Sequence, residues 1–173
     1  AMLSWMLLER VRGGRPSALG GCIGAVVGLV AITPAAGYVA VGPSIAIGAI
    51  ASVVSTFAVA WKSRTTLDDT LDVFPCHGVG GIVGMITTAM FADHNVNAAG
   101  ADGLFHGGTT LFLKHMIALP TIAALIFASS WVLYKITDKI VPLRVTAEDE
   151  ALGLDLSQHG ESLDERGPRE SIA

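Results

Sequence analysis

The stretch that decides the fold runs from residue 17 to residue 61 and reads SALGGCIGAVVGLVAITPAAGYVAVGPSIAIGAIASVVSTFAVAW. It contains no Asp, Glu, Lys, Arg or His, and it is about twice as long as the roughly 20 residues with which a helix crosses a bilayer. A turn at Pro34 and a Gly-Pro pair at 42–43 interrupt helical hydrogen bonding in its middle. The stretch therefore predicts two membrane-spanning helices, near 17–36 and 42–61.

The composition favours a membrane location for most of the chain. Of its 173 residues, 51% are hydrophobic and 15% are charged, whereas soluble domains usually carry about 25% charged residues. The 20 glycines suit helices that pack closely in lipid. The formal net charge is −4, with the acidic residues concentrated in the C-terminal part. We therefore expect membrane lipid as the surrounding medium and no nucleic-acid partner.

Two further apolar runs predict two more spans, near 72–92 and 107–136. Residues 1–12 begin apolar but are too short to cross a bilayer, and we interpret them as the end of a truncated span. The sequence thus predicts an all-α, polytopic transmembrane helix bundle over 1–142, followed by a polar tail over 143–173.

Basic residues occur in every second segment that flanks or connects the predicted spans, which places them all on one side of the membrane. Three clusters flank them: Arg10, Arg12 and Arg15; Lys62 and Arg64; and Lys135, Lys139 and Arg144. The loops 34–42 and 93–106 contain no Lys or Arg. Because such residues are enriched in cytoplasmic loops, we expect a multi-pass protein of the cell membrane with a cytoplasmic C-terminus.

His77 is the only histidine near the middle of a predicted span. An ionisable side chain at membrane depth is costly, so it usually faces a cavity or the bundle interior and marks a substrate route. Gly78 follows it directly, and Gly81 and Gly84 lie at i+4 and i+7, on the face of His77 in a regular α-helix. A face without bulk allows close helix packing or leaves room for a narrow channel. Both a pore role and a packing role for His77 stay open at this point.

Three carboxylates, Asp68, Asp69 and Asp72, precede this span. They could form a cation-attracting or metal-binding cluster with His77, but Asp72 and His77 are five residues apart and diverge on a helix. Carboxylates at a helix N-terminus bind free backbone N–H groups and complement the helix dipole. We therefore favour this structural role and expect neither a metal site nor a cofactor.

Thr33 and Pro34 end the first complete span. A threonine hydroxyl can satisfy a carbonyl that a proline leaves without its partner. The alternative is a polar contact at the outer mouth of a pore, and the residues themselves do not decide between the two.

Three ordered motifs resemble those of the ammonium transporter (Amt) family. They are GLVAITPAAGYV at 28–39, DDTLDVFPCHGVGGIVG at 68–84, and LRVTAEDEALGLDLSQHGE at 143–161. The resemblance covers nearly the whole chain, and the tail motif is similar to that of bacterial and plant members rather than of Rhesus-type relatives. Pro75 is a departure, since the family has glycine there.

The resemblance implies a fold of eleven transmembrane helices, two inverted five-helix repeats and a long last helix, assembled as a homotrimer with one pore per subunit. By that comparison, the chain holds the end of helix 7, helices 8 to 11 and the cytoplasmic tail. The missing N-terminal helices of the same transporter would then be partners of this segment.

The resemblance also implies roles for individual residues. His77 matches one member of the twin-histidine pair that lines the pore, and its partner belongs to helix 5. Thr33 matches a threonine near the outer vestibule. Ser157 falls where plant members have a phosphorylated threonine, which implies a regulatory role. The implied function is ammonium or ammonia transport for nitrogen uptake, without enzymatic activity, and with a PII-type signalling protein as partner at the cytoplasmic face.

Other interpretations stay open at this stage. The chain could belong to an ammonium sensor, which a fused kinase or cyclase domain would mark, or to a channel for another small solute. It could also be a non-conducting fragment or assembly subunit.

Overall fold

The computed structural model describes residues 1–161, and this part of the chain is helical and contains no strand. Its α-helices are, in chain order, α1 (Met2–Val11), α2 (Ala18–Ile32), α3 (Val41–Lys62), α4 (Gly80–Phe91), α5 (Thr109–Ile140) and α6 (Ala147–Leu152). Shorter segments are the 3₁₀ turns Thr33–Ala35 and Leu104–His106 and the π-helical turns Phe74–Val79 and Asp155–His159.

Helical segments long and apolar enough to cross a membrane are found at four places in the described range. They are Ala18–Ala35, Val41–Lys62, Phe74–Phe91 and Thr109–Ile140. The predicted all-α bundle with several candidate spans is thereby confirmed. Helix α5, the last candidate span, ends at Ile140, later than the expected end near 136, because the chain stays helical until Pro142 disfavours a helical conformation at the residue before it.

The chain divides into two compact units, Ala1–Ala123 and Ala124–Ala173. The first holds α1 to α4 and the start of α5. Its core consists mainly of small and branched apolar side chains: Trp5, Val27, Ala31, Ala35, Ile47, Ala51, Cys76 and Val83. Small core residues allow close approach of backbones, as expected for helices that associate in lipid.

The closest approach in the first unit is between α2 and α4 at Gly84. A Cβ on Gly84 would collide with the carbonyl oxygen, the carbonyl carbon and the Cα of Ala31, all of which are backbone atoms. Gly24 similarly faces the Cβ of Trp5, at 2.6 Å from an added Cβ. These glycines let α2 pack tightly on both α1 and α4, so they fix where the third candidate span lies.

In the second unit, the described residues show an ordered beginning of the tail. Thr146 is the N-cap of α6, and its Oγ1 accepts a hydrogen bond from the Asp149 N–H at 3.1 Å. Arg144 pairs with Glu150, with 2.9 Å between Nη2 and Oε1. The Ser157 hydroxyl donates to the Asp149 carbonyl at 3.3 Å. The rest of the predicted tail, from residue 162, lies outside the described residues.

Candidate functional site

His77 lies on a π-helical turn, Phe74–Val79, that forms the start of the third candidate span. Such turns contain an extra residue, are rare, and are frequent at functional sites. The side chain of His77 is exposed, whereas Pro75 and Cys76 beside it are buried. The first unit therefore presents the imidazole outwards at a wide turn of the helix.

Two of the glycines after His77 are less exposed than the histidine itself. Gly84 is buried against Ala31, Gly81 is half-buried near Val30, and His77 is exposed. The π turn changes the angular spacing between residues on either side of it, so the common face counted at i+4 and i+7 from His77 stays a prediction. In the described chain Gly84 serves close helix packing.

Gly78 and Gly81 instead share an open groove with Thr33. The groove has a volume of about 530 Å³ and apolar walls; Val30, Pro34, Ile82, Met85 and Leu119 complete its lining. Thr33 is exposed, and its hydroxyl donates to the Leu29 carbonyl at 2.6 Å. That bond is the local role expected of a threonine before proline, and it leaves an acceptor lone pair on the hydroxyl.

The carboxylates before the π turn are held in a network at what we call the basic end of the bundle, where α3 ends at Lys62. The Asp69 carboxylate accepts hydrogen bonds from the N–H groups of Val73 and Phe74 at 2.8 and 2.9 Å. Lys62 Nζ lies 2.6 Å from Asp72 Oδ1 and donates to the Asp69 carbonyl at 2.7 Å. Asp69 thus caps the start of the turn, as the sequence suggested, while Asp72 has a basic partner.

The hydrogen bonds at Asp69 also affect its ionisation. The Phe74 N–H holds the pKa of the Asp69 carboxyl below its usual value, helped by the Val73 N–H and the Lys62 charge and opposed by desolvation. A depressed pKa means that the folded chain prefers the carboxylate form. Asp68 lies in the adjacent loop and lines a groove of about 560 Å³ with Trp61, Asp69 and Phe74. No group of three or more His, Cys, Asp or Glu side chains that could hold a metal ion occurs among residues 1–161.

The opposite end of the bundle, which we call the loop end, is held by hydrogen bonds between loops. The Asp93 N–H donates to the Tyr38 carbonyl at 2.9 Å, and the His94 N–H donates to the Asp102 carboxylate at 2.8 Å. His106 Nε2 lies 3.7 Å from Asp93 Oδ2. The Asn95 N–H, together with the Asn95 amide and the neighbouring histidines, holds the pKa of Asp93 below its usual range against desolvation.

Sequence reasoning missed the role of His115. Its imidazole is half-buried, and Nδ1 lies 2.9 Å from the Met85 carbonyl oxygen. This contact joins the start of α5 to the middle of α4. Because a carbonyl oxygen can only accept, Nδ1 is the donor in this contact. The two residues are far apart in sequence and their contact depends on how the helices pack, so no local pattern signals it.

The arrangement described so far defines a class: a multi-pass membrane protein built from closely packed apolar helices. The sequence model of the Ammonium Transporter Family matches residues 1–163, and the chain belongs to that family.

Individual relatives agree with this membership. The chain is 46% identical over 158 residues to an ammonium transporter of Bacillus subtilis (strain 168), an alignment that covers 91% of the chain and 39% of the relative. It is also 46% identical over 165 residues to an ammonium transporter of Aquifex aeolicus, covering 93% of the chain and 38% of that relative.

The fold resembles solved structures of fungal Mep2 proteins. The match to Candida albicans Mep2 has a TM-score of 0.78 at 35% identity and covers 91% of this chain and 36% of that one. The match to Saccharomyces cerevisiae Mep2 has a TM-score of 0.78 at 30% identity, with 85% and 34% covered. The chain thus spans less than two fifths of the length of these relatives.

Proposed function

We propose that this chain forms part of a transporter that moves ammonium or ammonia across the cell membrane, and that His77 lines its pore. The observation that carries the proposal is an exposed imidazole on a π turn within a candidate span, in a chain of the ammonium transporter family. Relatives of this chain bear the name ammonium transporter. An exposed histidine at membrane depth is unfavourable in lipid, so we infer that other helices of the complete transporter enclose it.

The chemistry of a histidine-lined, apolar pore suits this substrate. Ammonium is a cation that is costly to dehydrate, whereas ammonia is small and neutral, so a narrow apolar passage favours the neutral molecule and excludes hydrated ions. A neutral imidazole can accept or donate a hydrogen bond inside the passage, and it can relay the proton. We propose that His77 is one member of a pair of pore histidines and that the second member lies outside this chain.

Thr33 and the glycines take supporting roles in the proposal. Thr33, Gly78 and Gly81 line one groove, which we propose as part of the passage wall in the complete transporter. Gly84 keeps the third candidate span packed on α2. Asp69 and Asp72 hold the start of the π turn from the basic end.

The proposal is tested by measuring [¹⁴C]methylammonium uptake by the protein in its full natural length, in a host without its own ammonium transporters. We expect His77→Ala to reduce uptake by about tenfold or more at equal protein level, because misplacing or removing a group at the passage typically has such an effect. His94→Ala is the matched control, since His94 is an exposed loop histidine. Equal uptake by the wild type and His77→Ala would contradict the pore assignment.

We propose that the protein acts as a homotrimer and that its tail, on the cytoplasmic side, regulates transport. A PII-type protein is the proposed partner there, and Ser157 is the proposed regulatory residue.

The Ser157 hydroxyl donates to the Asp149 carbonyl beside the acidic first turn of α6, so a phosphate on Ser157 would be repelled by that turn. Ser157→Asp should therefore change uptake, whereas Ser157→Ala should not. Identical uptake by both variants, together with unchanged PII binding after removal of residues 143–173, would contradict regulation by the tail.

A further inference from the structure

The basic end contains an ion pair that joins two elements on either side of a turn. Lys62 is the last residue of α3, and Asp72 lies just before the π turn that carries His77. Lys62 Nζ and Asp72 Oδ1 are 2.6 Å apart, and the two side chains are only 12% and 23% exposed. Within the described residues Asp72 Oδ1 accepts no hydrogen bond of regular geometry, so the attraction between the two is electrostatic.

The backbone of Asp72 has a conformation that needs support. Its φ is +54°, and it is the only residue other than glycine with positive φ among the described residues. Left-handed backbone is unfavourable for most residues, although Asp and Asn tolerate it better than others. Such residues persist where their surroundings hold them, and they occur often at functional sites.

Lys62 also holds the residues around Asp72. It donates to the Asp69 carbonyl at 2.7 Å, and the Asp69 carboxylate in turn accepts the N–H groups of Val73 and Phe74. The Asp72 carbonyl accepts the Cys76 N–H at 3.0 Å. One ammonium group therefore connects the end of α3 to the Asp69 carbonyl and to the Asp72 carboxylate.

We infer that Lys62 and Asp72 form a clasp that sets the register of the π turn Phe74–Val79 and thereby the direction of His77. This inference rests on the proposed function, because it gives the clasp a positioning role for the pore histidine. A turn that lost its extra residue would rotate the following side chains by about 100°, the angle per residue of an α-helix. Asp72 lies two residues before the π turn and five before His77. The clasp therefore acts at the point where the hydrogen-bond register of that turn begins.

The clasp is tested with four variants of the protein in its full natural length. Lys62→Met removes the charge and keeps the side-chain length, and Asp72→Asn removes the opposite charge while keeping a residue that tolerates left-handed backbone. Lys62→Arg retains a cation that can reach both oxygen atoms. Arg64→Met is the matched control, because Arg64 follows Lys62 by two residues and is exposed.

We expect Lys62→Met and Asp72→Asn to lower the maximal rate of methylammonium uptake about tenfold, as displacement of a functional group by about 1 Å can do. The half-saturating concentration should change little, since the outer part of the passage is untouched. Lys62→Arg should recover most of the rate, and Arg64→Met should resemble the wild type. If the wild-type protein takes up methylammonium and Lys62→Met does so at the same maximal rate, the inference is overturned.

A second readout separates failure of the clasp from failure of the proposed function. Hydrogen exchange of the amides at 73–79, measured by mass spectrometry on the purified protein, should accelerate in Lys62→Met and Asp72→Asn but not in Arg64→Met. If the wild type does not conduct, the proposed function fails, and exchange alone then decides whether the clasp holds the turn. Unchanged exchange at 73–79 in Lys62→Met would overturn the clasp.

Discussion

The two ends of the third candidate span are held by different chemistry. At the basic end, the Lys62 charge, the Asp69 carboxylate and the left-handed Asp72 hold the π turn that carries His77. At the loop end, Asp93 and its neighbours are held by backbone hydrogen bonds and by a histidine 3.7 Å away. The end nearer His77 is therefore held mainly by a short contact between charged side chains of two elements, and the other end mainly by hydrogen bonds among loop residues.

The largest effect is expected from a substitution at Gly84, which lies between the two ends and packs α4 on α2. An added Cβ would meet backbone atoms of Ala31, which cannot move aside as a flexible side chain can, so Gly84→Ala should lower stability by about 1–3 kcal/mol. Gly42→Ala is the control, because an added Cβ there meets open space. Thermal unfolding in detergent measures both variants. Similar melting temperatures for Gly84→Ala and Gly42→Ala would show that α2 and α4 do not need this contact.

The next effect compares the caps at the two ends. Asp69→Ala removes an acceptor of two backbone N–H groups at the π turn and should lower the melting temperature clearly. Asp93→Ala removes the acceptor of the Asn95 N–H, a single backbone bond, and should lower the melting temperature less. Unfolding measured under one set of detergent conditions ranks the two. The comparison between the ends is wrong if Asp93→Ala is the more damaging change.

Acid should weaken the loop end through Asp93. The pKa of Asp93 is lowered in the folded chain, above all by the Asn95 N–H, so its contribution to stability is present above the ordinary aspartate pKa, near 4. The contribution is lost as the pH falls through the lower pKa of the folded state. Hydrogen exchange at 93–97, corrected for the intrinsic effect of pH, should therefore accelerate below about pH 4. In Asp93→Asn this acid dependence should disappear; its persistence would assign the effect to another group.

The smallest effect is expected at Thr33. Thr33→Val removes the hydroxyl that donates to the Leu29 carbonyl and should cost about 0.5–1.5 kcal/mol. Thr33→Ser keeps the hydroxyl and should stay close to the wild type. Uptake measured on the same variants distinguishes the two interpretations of this residue. Loss of stability with normal uptake would assign it to the helix end alone, and loss of uptake with normal stability would assign it to the passage.

Hydropathy made the spans readable from the sequence. The uncharged run over 17–61 predicts α2 and α3 because burying polar groups in lipid is costly, and the turn at Pro34 separates them in the structure too. The proposed capping role of the carboxylates before His77 was also readable, since acidic residues at a helix start have a clear physical reason. The family was readable from three ordered motifs.

Contacts that depend on a one-residue change of helical register, or on how the helices pack, could not be predicted from the sequence. A π turn differs from an α turn by one hydrogen-bond position, and no composition signal in Phe74–Val79 reveals it. The predicted common face of His77, Gly81 and Gly84 was counted for a regular α-helix and takes no account of that turn. The Lys62–Asp72 pair and the His115–Met85 bond join separate elements, so their partners become visible only once the helices are packed.

The most direct test of the central claim is an experimental structure of the protein in its full natural length. We expect the imidazole of His77 to lie beside a second histidine imidazole from a helix outside this chain, with ring nitrogens within about 2.7–3.2 Å, the usual hydrogen-bond range. Both rings should face a narrow apolar passage. A structure in which His77 points to lipid, or packs against another helix with no histidine and no passage beside it, would contradict the account.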